Sequence, residues 1–155
     1  MVQIVTPAGD INGLTFQVKL SQPGVFCYPG TQYAAALNQD GSLNSASNGA
    51  APGSIVSIWA TGAGLSAPAP QPDGQIIPSP IGALLTPQLP VAVLAGATYG
   101  SGHGQDSLEV LFAGDANGMV QGVIQVNFRL PSNSDLRLQV GGAVSEPFNI
   151  YMRQP

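Results

Sequence analysis

The chain carries one histidine, one cysteine, eight acidic side chains and four basic ones, so any reaction centre must be drawn from a small pool. A Ser-His-Asp relay would have to use His103. That residue stands in Gly100-Ser-Gly-His-Gly104, a glycine-bracketed stretch ill suited to holding an imidazole rigidly against two partners. No G-x-S-x-G nucleophile elbow occurs. A zinc site needs several His or Cys ligands, and His103 and Cys27 are the whole supply. Paired carboxylates for glycoside hydrolysis could come from Asp106, Glu109 or Asp115, but their spacing does not distinguish them from solvated loop charges. An isopeptide crosslink from Lys19 would need a buried amine, and alternation places Lys19 on the polar side of its segment. The expectation is a protein that is not an enzyme and holds no cofactor or metal.

Three patterns could bind rather than react. Gly62-Ala-Gly-Leu-Ser-Ala67 fits a dinucleotide fingerprint, which works only when a helix opens behind the glycines to meet the pyrophosphate; Pro68, Pro70 and Pro72 forbid that helix. Asn38-Gln-Asp-Gly-Ser-Leu-Asn44 places oxygen side chains at alternate positions around a glycine, as part of a calcium loop does. The first ligand position would be Ala36 and no glutamate closes the loop, so a hairpin turn is the better reading. Asp115-Ala-Asn-Gly118 is a weaker version of the same pattern. Tyr28, Tyr33, Tyr99 and Tyr151, with Trp59, would suit a sugar-stacking platform, although they are scattered along the sequence.

The elements that must position these residues are strands. Charged residues make up 8% of the chain, against about 25% in an average soluble domain, and 20 Gly and 14 Pro supply turns. Helices solvate an outer face with charges that are missing here, so composition points to an all-β chain. Leu14–Leu20 alternates apolar and polar positions as a half-buried strand does. Gln39-Asp40-Gly41 and Gly141-Gly142 mark hairpins. Residues 55–61 are apolar on both faces and predict a central strand with Trp59 between two sheets; Trp59, Phe26 and Phe128 are the expected core anchors. Seven prolines between residues 62 and 90 predict a long surface connection. Further strands are expected at 91–94, 108–112, 123–130, 135–140 and 148–152. A net charge of −4 with four cations leaves little for nucleic acid or an anionic membrane surface to grip, and no apolar run reaches the ~20 residues that span a bilayer. A single cysteine excludes an internal disulfide and leaves Cys27 a free thiol or one half of an intermolecular bridge.

The string Pro23-Gly-Val-Phe26, followed by Ala34-Ala-Ala-Leu-Asn-Gln-Asp-Gly-Ser-Leu-Asn-Ser45, resembles the uncharacterised Solibacter-type C-terminal domain of exported acidobacterial proteins. The resemblance continues through Ala51-Pro-Gly53, Ile58-Trp-Ala-Thr-Gly-Ala-Gly-Leu65, Val110-Leu-Phe-Ala-Gly114, Gln121-Gly-Val-Ile-Gln-Val-Asn-Phe-Arg-Leu-Pro131 and Val140-Gly-Gly-Ala-Val-Ser145. It departs from the usual pattern at Gly96–Asp106. It implies an immunoglobulin-like antiparallel β-sandwich in an exported, extracellular or cell-surface protein; counting the strand segments gives eight or nine strands, and with no n-region or h-region ahead of the domain the export signal is expected outside this chain. It implies no activity.

The resulting expectation is a non-catalytic structural or interaction module. Residues 1–13 form an N-terminal extension to a β-sandwich spanning 14–155. Val2, Gln3, Ile4, Val5 and Ile11 of that extension are suited to strand addition on a neighbour, so the partners are other copies of the chain or neighbouring domains of the same type. A carbohydrate-binding domain is the alternative. Phe16-Gln-Val-Lys-Leu20 also echoes Phe148-Asn-Ile-Tyr-Met152. That is either the common look of amphipathic strands or the closing strand of a preceding, similar domain.

Overall fold

A computed structural model describes residues 4–11, 17–68, 72, 74–78, 85–96, 106–132 and 135–153. These residues contain no helix. In chain order the strands are β1 (Ile4–Thr6), β2 (Gly9–Ile11), β3 (Gly24–Val25), β4 (Ala36–Leu37), β5 (Ile55–Thr61), β6 (Ser66–Ala67) and β7 (Thr86–Pro87). They are followed by β8 (Val91–Ala95), β9 (Asp106–Ser107), β10 (Val110–Asp115), β11 (Val123–Arg129), β12 (Leu136–Val140) and β13 (Ala143–Val144). The number exceeds the eight or nine expected because several are two-residue pieces between Gly and Pro turns. One sheet has the order β10-β11-β5-β3 with β4 also on β5, and the other has the order β13-β12-β8-β9. β1-β2 and β6-β7 are separate two-stranded ribbons, and every strand pairing is antiparallel.

Alternation dictates how the two larger sheets meet. In β5, Val56, Ile58 and Ala60 are buried; in β11, Ile124, Val126 and Phe128 are. They pack in one cluster with Val93 and Ala95 of β8 and Leu136, Leu138 and Val140 of β12, so both sheets share a single core. This layering is compatible with a β-sandwich. Each such side chain contributes about 1.5–3 kcal/mol relative to exposure. Phe148 and Ile150 close the core from the C-terminal segment, which joins by isolated bridges: Leu136↔Phe148 antiparallel, then Tyr33↔Asn149 and Ala50↔Met152 parallel.

Several expectations are corrected. Phe128 is fully buried, but Trp59 is half-buried on the opposite face of β5 and Phe26 is 43% exposed. Period two allows only one face of β5 to look inward, and Val56, Ile58 and Ala60 occupy it. The segment 14–20 is not a half-buried strand where it is described. Residues 17–20 lie outside every strand, with Val18 81% and Leu20 84% exposed, and no strand among the described residues pairs with them. The proline-rich connection is not wholly superficial. β6 pairs with β7, and Ser66, Ile77 and Leu85 are buried, with Ile77 N donating to Met119 O at 2.9 Å.

Candidate interaction surfaces

The hairpin that resembled a calcium loop is an asparagine latch. Gly41 turns the chain at φ 80°, and Asn38 N donates to Ser42 O at 2.8 Å. Asp40 Oδ1 accepts from Ser42 N at 2.9 Å and Ser42 Oγ at 2.6 Å, and the Ser42 hydroxyl bond is the largest cause holding the carboxyl below its ordinary range. Asn38 Oδ1 accepts from Asn44 Nδ2 at 2.9 Å. The fully buried Asn44 then reaches across the molecule: its Nδ2 donates to Tyr151 O at 2.8 Å and its Oδ1 accepts from Tyr151 N at 3.0 Å. Asn38 Oδ1, Asp40 Oδ1 and Asn44 Oδ1 are thus each engaged within the chain. No group of three or more His, Cys, Asp or Glu that could hold a metal occurs among the described residues. Beside the latch, Asn38, Gln39, Asp40, Asn48, Ala51 and Arg153 line a shallow cleft of about 150 Å³.

The glycines that mimicked a phosphate loop serve close packing. A Cβ at Gly62 would collide with Gln22 O, and one at Gly64 with Leu20 O; φ is 76° and 81° respectively. Residues 20–22 therefore lie directly on this corner. Gln22 N donates to Gly62 O at 2.8 Å, and the buried Ser21 donates its Oγ to Val140 O at 2.8 Å in the other sheet. Ser21 thus ties residues 20–22 to the second sheet. Of the residues suited to strand addition, Ile4, Val5 and Ile11 fall in the β1-β2 hairpin, with Ile4 opposite Ile11 and Val5 opposite Asp10, so β1 pairs within the chain. Val2 and Gln3 lie outside the described residues.

The outward face of the five-stranded sheet collects aromatic and amide side chains. Trp59 stands opposite Gln125 on β11, and Phe26 N donates to Trp59 O at 3.0 Å, which sets Phe26 beside it. The next row places Leu37 opposite Ser57 and Asn127 opposite Phe112, with exposed Leu43 bridging to Leu37. Gln125 Nε2 donates to Asn127 Oδ1 at 2.8 Å. A Cβ on Gly114 would meet Phe112 Cζ at 2.9 Å and Leu85 O at 2.8 Å, so the Phe112 ring lies over that glycine. None of these positions is charged.

Sequence scatter concealed one aromatic pair. Tyr33 and Tyr151 stack with ring centroids 3.8 Å apart and planes 3° apart. Tyr28 donates its hydroxyl to Asn44 O at 3.0 Å, while Tyr99 and His103 lie outside the described residues. The carboxylates are dispersed. Glu109 pairs with Arg129 at 2.7 Å on the surface and Asp106 is exposed. Asp115 is buried, its Oδ1 accepting from Ser66 Oγ at 2.6 Å and its Oδ2 without a partner. Lys19 Nζ donates to Gln22 Oε1 at 2.9 Å and is exposed. Cys27 is a partly buried free thiol whose ionisation is pushed up by burial. The structural roles of Asn44, Ser21 and Ser66 are not legible in the sequence, where an Asn or Ser at these positions looks like any turn residue. Compared with known proteins, the chain matches no family model, no curated protein and no solved structure.

Proposed function

We propose that the chain is a non-catalytic, extracellular structural module of the immunoglobulin-like sandwich type, which works by being joined to its neighbours through its N-terminal segment. One observation carries this reading. Directly upstream of the Ser21 anchor, Val18 and Leu20 hold two apolar side chains almost wholly in water, 81% and 84% exposed. Exposed apolar side chains in strand-like alternation beside a fixed exit point suit pairing with another β-structure. The low charge and the resemblance to exported acidobacterial domains support an extracellular setting. Sedimentation velocity and electron microscopy of the full chain test it. Association that grows with concentration, and is reduced in V18D/L20D, is the expected result. A strictly monomeric wild-type chain at high concentration would overturn it.

A second reading, carbohydrate binding, is favoured by the outward placement of Trp59 with Phe26, Gln125 and Asn127. Uncharged aromatic and amide groups on a sheet face suit stacking against sugar rings and hydrogen bonding to hydroxyls. Calorimetry against a panel of neutral polysaccharides tests it. Heat that is lost in W59A supports the reading, and silence across the panel removes it.

A further inference from the structure

The N-terminal segment and the end of the chain share one sequence pattern. Phe16-Gln-Val-Lys-Leu-Ser-Gln-Pro23 and Phe148-Asn-Ile-Tyr-Met-Arg-Gln-Pro155 agree at Phe, Gln and Pro, and keep apolar or polar character at every position between. The likeness extends upstream, where each copy follows an antiparallel hairpin. β12-β13 ends at Val144, shortly before Phe148, and β1-β2 ends at Ile11, shortly before Phe16. Each hairpin turns close to a glycine of positive φ, Gly141 at 57° and Gly9 at 118°.

The two copies differ in what surrounds them. Phe148 and Ile150 are buried and Met152 packs against the core, while Val18 and Leu20 are exposed and β1-β2 pairs with no strand of either larger sheet among the described residues. We infer that residues 4–20 are the last hairpin and closing strand of another β-sandwich of this same type, which they complete by entering the slot that β12, β13 and residues 148–152 fill here. This rests on the reading of the chain as a joined module and names its partner: a second copy of the sandwich whose own residues 148–152 give up that slot.

The chemistry of the slot fits the second copy. Its inward positions take Phe148, Ile150 and Met152, for which Phe16, Val18 and Leu20 are apolar counterparts. Its outward positions take Asn149, Tyr151 and Arg153, matched by Gln17, Lys19 and Ser21. Asn44 grips the backbone N and O of Tyr151 rather than its side chain, so a lysine at that position can be held by the same two bonds. Consecutive modules would then share one boundary. The closing strand of one sandwich runs through Gln-Pro directly into Gly24 and Val25 of the next, and Ser21 fixes the exit where the two meet.

A graft within the full chain tests this. N149Q/I150V/Y151K/M152L/R153S rewrites residues 148–155 as a copy of 16–23. The expected result is a single cooperative thermal transition, lowered by roughly 5–15 °C, reflecting the smaller Val and the lost Tyr33–Tyr151 stack. A second graft places residues 15–22 at 148–155, one residue out of phase, so that Thr, Gln and Lys face the core; it is expected to lose cooperative unfolding. An in-phase graft that fails to fold where the wild type is folded overturns the assignment, and so do two grafts that fold equally well. The readout does not depend on self-association. A failed in-phase graft alongside association that V18D/L20D abolishes would leave the joined-module reading standing and remove only the partner named here.

Discussion

The side-chain amide of Asn44 pairs with both backbone groups of Tyr151, 107 positions away in the chain, and does so in the manner of a neighbouring β-strand. This joins the 38–44 hairpin to the C-terminal segment that closes the core with Phe148 and Ile150. An asparagine supplies one donor and one acceptor at the spacing of a peptide group, which neither Ser nor Asp reproduces at neutral pH.

N44A is therefore expected to destabilise the fold by about 2–4 kcal/mol, because it leaves a backbone donor and a backbone acceptor of Tyr151 without partners. N44D is expected to cost at least as much near neutral pH, since a carboxylate would face Tyr151 O and Asn38 Oδ1 where the amide now donates. Urea unfolding of the two variants checks this, and an N44A midpoint equal to that of the wild type would show that the latch contributes nothing.

The corner glycines make a second, graded prediction. Gly62 and Gly64 combine positive φ with backbone oxygens of Gln22 and Leu20 where a Cβ would stand, whereas Gly118 has φ 71° and open space around it. G118A should cost only the strain of a left-handed backbone, about 1–2 kcal/mol. G62A and G64A add a collision that backbone must move to relieve, so each should cost clearly more and should weaken the Ser21 to Val140 attachment. Thermal melts of the three variants rank them; equal losses would mean that residues 20–22 shift freely.

Much of the sheet structure was legible because period-two alternation is a local signal. Strands β11 and β12 fall where apolar residues recur at alternate positions, β5 and β8 fall on short apolar runs, and the Gly41 and Gly141 turns fall where expected. What a strand pairs with is not local. Gln17 to Leu20 carries the pattern of a half-buried strand, yet no described strand pairs with it, and Val18 and Leu20 stay in water. β5 is apolar on both sides because it is central, and nothing in Ile-Val-Ser-Ile-Trp-Ala-Thr says which side meets the second sheet. Asn44, which reads in sequence as one oxygen of a calcium-like loop, hides its role for the opposite reason: its partners are distant, and within its own segment it looks like a turn residue.

Cys27 should report on the integrity of the β3 to β5 region. Burial raises its ionisation above the ordinary 9.0, and Sγ lies 3.6 Å from Val25 O. A thiol whose folded value is raised contributes stability that is present below the unfolded value and is lost as pH rises through the folded one. Alkylation of the native chain at pH 8 should be slower than in urea-unfolded chain, and stability should decline above about pH 9 less steeply in C27A. Equal alkylation rates in native and unfolded chain would contradict the burial of the thiol.

Trp59 and Phe128 test which face of the five-stranded sheet is the core. Both are large aromatics on its two central strands, and composition alone would rank Trp59 as the greater anchor. F128A removes a side chain with no solvent contact and should cost about 3–5 kcal/mol. W59A removes a half-buried ring whose neighbours are Phe26 and Gln125, so little cavity remains and about 1–2 kcal/mol is expected. The indole should also be quenched by acrylamide in the native state. If W59A instead proves as damaging as F128A, the outward face must be covered, and Trp59 would then belong to an interface that the wild-type chain forms in solution.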